Sequence, residues 1–237
     1  MPTWVVKDYV DDAARECSIT PPSNWLTATD TTALQFRTFL KDVTRELLQR
    51  HDWAAVTTDE TFSGAGSSFS LPADFLRLCD YENAVYETSP NRRRVLPMPN
   101  RGDWTETEEW NWTGVQRYFR LQGSTIEFLS ALPAGAEVQM AYVQTTWITE
   151  SGGTRSATWD AVTDESRIPG HLLQLGLIWR WRRNKGLVYA DRKAEYESEL
   201  ARAIGDDGPR RKVDTTGPSI EVRHPMRVPI IDFIPSS

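Results

Sequence analysis

Leu172-Leu173-Gln174-Leu175-Gly176-Leu177-Ile178-Trp179-Arg180-Trp181-Arg182-Arg183-Asn184-Lys185 is the stretch that decides how this chain folds. Leu172, Leu173, Leu175, Gly176, Ile178 and Trp179 form an apolar face broad enough to be buried on most sides, so the spacing predicts a core helix starting at Arg167. Arg180, Arg182, Arg183 and Lys185 load its C-terminal end with cations, where the helix dipole favours them, and Gly186 supplies a C-cap. A further helix is expected over 187–204, with Tyr189, Lys193, Tyr196, Leu200 and Ile204 at helical spacing. Asp191, Arg192, Glu195, Glu197, Glu199 and Arg202 occupy its other faces, and Gly205 closes it.

Working outward, the N-terminal end repeats the helical pattern. Trp4, Val5, Tyr9, Ala13 and Cys17 recur at three- and four-residue spacing, and Thr20-Pro21-Pro22-Ser23 stops that helix. Thr29 or Asp30 then offers an N-cap for a second helix ending near Trp53, with Leu34, Phe36, Phe39, Leu40, Val43, Leu47 and Leu48 as its stripe.

Between the helix pairs the period changes to that of strands. Residues 55–61 and 69–71 read as strands around Ser63-Gly64-Ala65-Gly66-Ser67. Leu71-Pro72-Ala73-Asp74-Phe75-Leu76-Arg77-Leu78 reads as a strand end passing into a loop or one helical turn. Residues 83–86 and 93–96 read as a hairpin turning at Ser89-Pro90-Asn91, and 100–112 as a short acidic helix with Trp104 placed to pack. Strands at 118–121, 125–129 and 137–143 complete an expected meander, joined by Gln122-Gly123-Ser124 and Pro133-Ala134-Gly135.

From Gly205 onward five prolines and three glycines exclude helix, while five acidic and five basic residues cancel. Ile220, Val222, Met226, Val228, Ile230, Ile231, Phe233 and Ile234 are too apolar for an ordinary disordered tail. Burying the larger of them contributes on the order of 1.5–3 kcal/mol each before ordering costs, so this arm is expected to add as a strand to a neighbour. Folding back on its own helices is the alternative.

The fold class expected is therefore α+β: a helical core of about four helices with an inserted small antiparallel β-domain and an extended C-terminal arm. Residues 1–54 would supply the N-terminal core helices, 55–165 the β-rich insertion, 166–205 the C-terminal core helices and 206–237 the docking arm.

Composition narrows the function. The net charge of −6 argues against broad phosphate-driven binding of nucleic acid, and ten tryptophans favour assembly surfaces. No run of eighteen apolar residues is present, and Met1-Pro2-Thr3-Trp4 does not begin a signal peptide, so a soluble protein without a membrane partner is expected. Cys17 and Cys79 are read as reduced thiols, and His51, His171 and His224 lack metal-ligand spacing. No phosphate loop, nucleophile elbow or zinc-protease motif occurs, so no catalytic residue, cofactor or metal is assigned. Asp103, Glu106, Glu108 and Glu109 could be drawn as a glycosidase pair but read better as a solvated face. His51-Asp52 is not a dyad, because adjacent side chains point apart. The basic and aromatic alternation from Trp179 to Lys185 could grip nucleic acid, yet it fits a packed helix with a basic outer face.

The order of these features carries a resemblance. Arg50-His51-Asp52-Trp53, then Leu71 to Leu78, then Trp147-Ile148-Thr149-Glu150-Ser151-Gly152-Gly153, then Trp159-Asp160, then Leu175 to Ala190 and Glu195-Tyr196-Glu197 form an ordered series. Over roughly residues 4–205 it resembles the head-to-tail adaptors, or tail accessory factors, of short-tailed bacteriophages. The resemblance implies a non-enzymatic virion protein, assembled in the host cytoplasm. Such proteins form a ring of typically twelve copies below the portal, extend the DNA channel and give a tail nozzle or tail tube protein its attachment site. It implies that the arm reaches the portal protein and that helix faces bearing Arg180, Arg182, Arg183, Lys185, Glu195 and Glu199 pack against neighbouring copies. A negative chain also suits a channel through which double-stranded DNA slides without sticking. A virion-borne cell-wall hydrolase using Glu106, Glu108 and Glu109, and a DNA-binding module using Arg180 to Lys185, are the competing readings.

Overall fold

In the computed structural model, the described residues are 5–80, 83–89, 92–98, 100–110, 114 and 116–207. The arm residues from Gly208 onward, and Pro90 and Asn91 of the expected hairpin turn, lie outside them. Four helices form one layer: α1 (Val6–Glu16), α2 (Thr31–Arg50), α4 (Gly170–Asn184) and α5 (Ala190–Asp207), with α3 (Arg101–Glu109) elsewhere among the strands. The central one is α4, which packs on α1, α2 and α5. That explains why it is apolar nearly all round: Leu172, Leu173, Leu177 and Ile178 are fully buried. Gly176 permits a close approach to α2, since a Cβ there would lie 2.6 Å from Cγ1 of Val43.

Helix boundaries follow local chemistry. The Asp30 carboxylate accepts the Ala33 N–H at 2.9 Å, making it the N-cap of α2. At the C-terminus of α4, Gly186 takes the left-handed conformation (φ 68°). The Leu187 N–H then donates to the Arg182 carbonyl at 2.9 Å and the Gly186 N–H to the Arg183 carbonyl at 3.2 Å. Four expected limits differ. The first helix stops at Cys17, with Ser18 left-handed, before the prolines are reached. Residues 167 and 168 form a bend rather than a helical turn, because Pro169 holds the N-cap and biases Ile168 away from helix. The last helix begins at Ala190 rather than 187, and Gly205 does not close it, since it continues to Asp207.

The strands are β1 (Thr57–Ser63), β2 (Gly66–Ser70), β3 (Phe75–Leu78), β4 (Val85–Ser89), β5 (Arg93–Arg94), β6 (Leu96–Pro97), β7 (Tyr118–Gln122), β8 (Thr125–Leu132) and β9 (Glu137–Gln144). Three two-residue strands follow, β10 (Ile148–Thr149), β11 (Arg155–Ser156) and β12 (Glu165–Ser166), and make a small sheet of order β11-β10-β12. The other strands divide into two sheets. One runs β1-β9-β4-β5, with β3 sharing the β4 edge of β9; the other runs β2-β8-β7-β6. Pairing is antiparallel except for the short parallel contact of β6 with β7.

The expected three-strand meander is therefore corrected. β7 and β8 pair, but β9 belongs to the other sheet. Ser63 lies opposite Glu137 and Gly66 opposite Leu132, so β1–β2 and β8–β9 are two long strands that bend together at one corner. Gly64 (φ 102°) and Gly135 (φ 80°) supply backbone angles there that other residues rarely adopt. Folding the paired ribbon at that corner encloses a second apolar cluster that includes Phe62, Val85, Phe119, Ile126, Phe128, Val138 and Met140. Val56, Val143, Trp147 and Ile148 pack instead into the helical cluster, carrying the strand layer onto the helices. The eight-residue stretch 71–78 resolves into a turn, closed by the Phe75 N–H to the Pro72 carbonyl at 3.0 Å, and then strand β3.

Candidate functional site

The sequence features that stand out most are used up inside the chain. In Arg50-His51-Asp52-Trp53 each side chain takes a different partner. Arg50 reaches Glu197 on α5 at 2.6 Å, His51 Nε2 lies 3.0 Å from the Asp207 carboxylate, and Asp52 meets Arg77 at 2.5 Å. The Trp53 indole N–H donates to the Leu47 carbonyl at 2.9 Å. The segment containing Asp74 and Arg77 clamps the strands to the helices. Arg77 Nη2 donates to the Leu48 carbonyl, one of the last of α2, at 3.0 Å. The Asp74 carboxylate accepts from Tyr142 at 2.9 Å and Gln144 at 2.5 Å. Burial first, then that bond to Asp74, pushes the Tyr142 phenol up to about 12. Arg155 and Arg167 both donate to the Gln144 amide oxygen at 3.1 Å. Burial, then the nearby Arg155 charge, lowers Arg167 to about 10, which leaves it a cation at neutral pH.

The basic run on α4 is also committed. Arg180 is buried, pairs with Glu46 on α2 and lies over the Trp179 ring at 4.4 Å. Arg183 covers the same ring at 5.1 Å, and Lys185 lies over Trp181 at 4.3 Å while donating to Gln35 at 3.2 Å. Arg182 contacts the Val188 carbonyl at 3.4 Å. On α5, Glu195 pairs with Arg192 and Glu199 with Arg202, each three residues away and exposed. The structure thus brings Arg180 to Glu46 rather than gathering the named cations on one face. Both cysteines are free; burial pushes the Cys17 thiol up to about 11, so it is protonated and unreactive.

Three surface features stay open once these contacts are made. The first is a cleft of about 590 Å³ between α2 and the 145–160 segment. Leu40, Leu48, Trp147 and Trp159 give it an apolar floor, and Arg37, Lys41 and Arg45 stand along its α2 wall. Those three cations were not singled out from sequence, although their four-residue spacing places them on one helix face. The second is α3. Its Trp104 is buried beneath the Arg120 guanidinium at 4.3 Å, whereas Trp110 at its C-cap is 72% exposed. Asp103, Glu106, Glu108 and Glu109 are all exposed, and none of them lines the cleft. An apolar corner is also uncovered where α4 turns into α5: Leu187 is 54% and Val188 77% exposed.

Among the described residues no group of histidine, cysteine and carboxylate side chains could hold a metal ion, and no helix is long and apolar enough to cross a membrane. Residues 6–223 match the profile of the family described as SU10 adaptor protein. No curated protein matches the chain.

Proposed function

The chain belongs to the SU10 adaptor protein family, a phage head–tail adaptor family of structural proteins, and from that premise we propose that it forms the ring joining portal to tail. Copies assemble below the portal protein into a closed ring, twelve in number as such adaptors typically are. The ring extends the DNA channel, and its lower face receives the tail nozzle or tube protein. Double-stranded DNA passes through without specific binding, as the net charge of −6 favours. The family match over residues 6–223 carries this reading. The exposed Leu187 and Val188, where α4 turns into α5, offer such a ring apolar contact surface.

In this account the arm is the portal anchor, through Ile220, Val222, Met226, Val228, Ile230, Ile231, Phe233 and Ile234. Arg182, Arg183 and Lys185 of one copy approach Glu195 and Glu199 of the next, exchanging weak exposed pairs at little cost. Arg180 stays with Glu46 inside its own chain. The test is binding of purified portal by the full chain and by a version ending at Asp207, a limit that keeps the contacts of Asp207 with His51 and Ala54. Loss of portal binding in the shortened chain is expected; equal binding would remove the arm from the account.

A further inference from the structure

Within the proposed ring, and resting on that reading, we infer that the acidic end of α3 in one copy, led by Trp110, seats in the cleft beside α2 of the next copy. The cleft carries three cations against one lining carboxylate, Asp160, whereas the end of α3 carries carboxylates and no cation. Among the described residues no carboxylate lies within ion-pair distance of Lys41 or Arg45. Arg37 spends its two terminal nitrogens on the Leu26 and Ala28 carbonyls, which leaves its charge uncompensated and its buried Nε without an acceptor. Facing these cations, the Trp147 and Trp159 indole N–H groups are satisfied by the Ala157 and Ala161 carbonyls, at 2.9 and 2.7 Å. Their rings therefore present carbon surface to whatever enters.

On α3 the situation is reversed. Asp103, Glu106, Glu108 and Glu109 have no ion-pair partner among the described residues, and the last turn contains no basic residue. The negative end of the helix dipole adds to that charge, so the end of α3 is poised for cations that its own chain does not supply. Trp110 stands there, 72% exposed, the side-chain type most often found as an anchor in protein interfaces. Trp104 and Arg120 hold α3 on β7, and no residue of α3 lines the cleft of its own copy.

Charge selects this occupant over the others the chain offers. The arm around Ile220 to Ile234 balances Glu221 and Asp232 against Arg223 and Arg227, and the Leu187–Val188 corner is flanked by Arg182, Arg183 and Lys185, which would repel the cleft. Two different surfaces of one chain meeting head to tail make a heterologous contact, the type that closes into a ring when its rotation permits.

The experiment is sedimentation of the full chain over a concentration series. It compares wild type with K41E/R45E, E106K/E109K, the chain carrying all four changes, and W110A. Thermal melts check that each variant is folded. Expected are a loss of self-association of about tenfold or more in each single-face variant and in W110A, and recovery when both faces are reversed. Single-face variants that associate like wild type would overturn the contact, as would a wild-type chain that stays monomeric throughout. The ring itself is judged separately, by the number of copies bound per portal, so the contact can fail while the ring stands.

Discussion

The two basic helices of this protein differ in what their charges are for. On α4 the cations face inward or lie along rings: Arg180 on Glu46 and Trp179, Arg183 on Trp179, Lys185 on Trp181. On α2, Arg37, Lys41 and Arg45 border an open cleft, and Lys41 and Arg45 meet no carboxylate among the described residues. On α4 the buried Arg180 holds one copy together, and the ring-stacked Arg183 and Lys185 keep only their outer sides for a neighbour; on α2 the exposed Lys41 and Arg45 are available to another copy. A conspicuous basic run in a sequence is thus no guide to an interaction surface until its internal partners are known.

If that contrast is right, substitutions at the contacts that hold α4 in place unfold the chain, and substitutions on the cleft face of α2 disassemble the ring. Glu46→Ala strands Arg180 in a largely buried place and should cost about 3 kcal/mol of stability, measured by chemical denaturation. Gly176→Ala drives a methyl into Val43 and should cost about 2 kcal/mol, seen as a lower thermal midpoint. Arg77→Ala removes the bond to the Leu48 carbonyl and the pair with Asp52, a loss of about 1 kcal/mol. Its hydrogen exchange should rise first at the end of α2. By contrast, K41E/R45E should leave the midpoint within about 0.5 kcal/mol of wild type while weakening assembly. A large stability loss there would mean that the cleft wall has an internal role.

The smallest effect expected is a pH dependence at His171. Burial first, with Arg202 assisting and Glu199 opposing, holds its imidazole below the ordinary value of 6.5. The unfolded chain therefore takes up that proton before the folded one does. This contribution is complete above about pH 6.5 and is lost as the pH falls through the lower folded value. His171→Gln should flatten the melting temperature over mildly acidic pH relative to wild type.

Helices were legible because their periodicity is local: the stripe on α2 and the nearly all-round apolar face of α4 point directly to burial. Most strands of the two larger sheets, and the local pairs β4–β5 and β7–β8, were legible for the same reason; β3, the two-residue strands β10 to β12 and the long-range pairings were not. Pro133-Ala134-Gly135 reads like a hairpin turn, yet it is a corner between sheets, and only the matching bend at Ser63 to Gly66 reveals it. The resemblance motifs were found as a series, and the structure shows why they sit far apart: Asp52 needs Arg77, and Arg50 needs Glu197. The cleft was not legible, since Leu40 and Trp159 meet across more than a hundred residues of chain. Its only sequence trace was the spacing of Arg37, Lys41 and Arg45.

The central claim is that the charges left unpaired in one copy are paired between copies of a ring. The most direct measurement is the native mass of the full chain bound to its portal, for wild type, for K41E/R45E and for the fourfold charge-reversed chain. A closed ring for wild type, incomplete or absent rings for K41E/R45E, and rings again for the fourfold variant are predicted. Complete rings from K41E/R45E, or independently bound single copies of wild type, would contradict it.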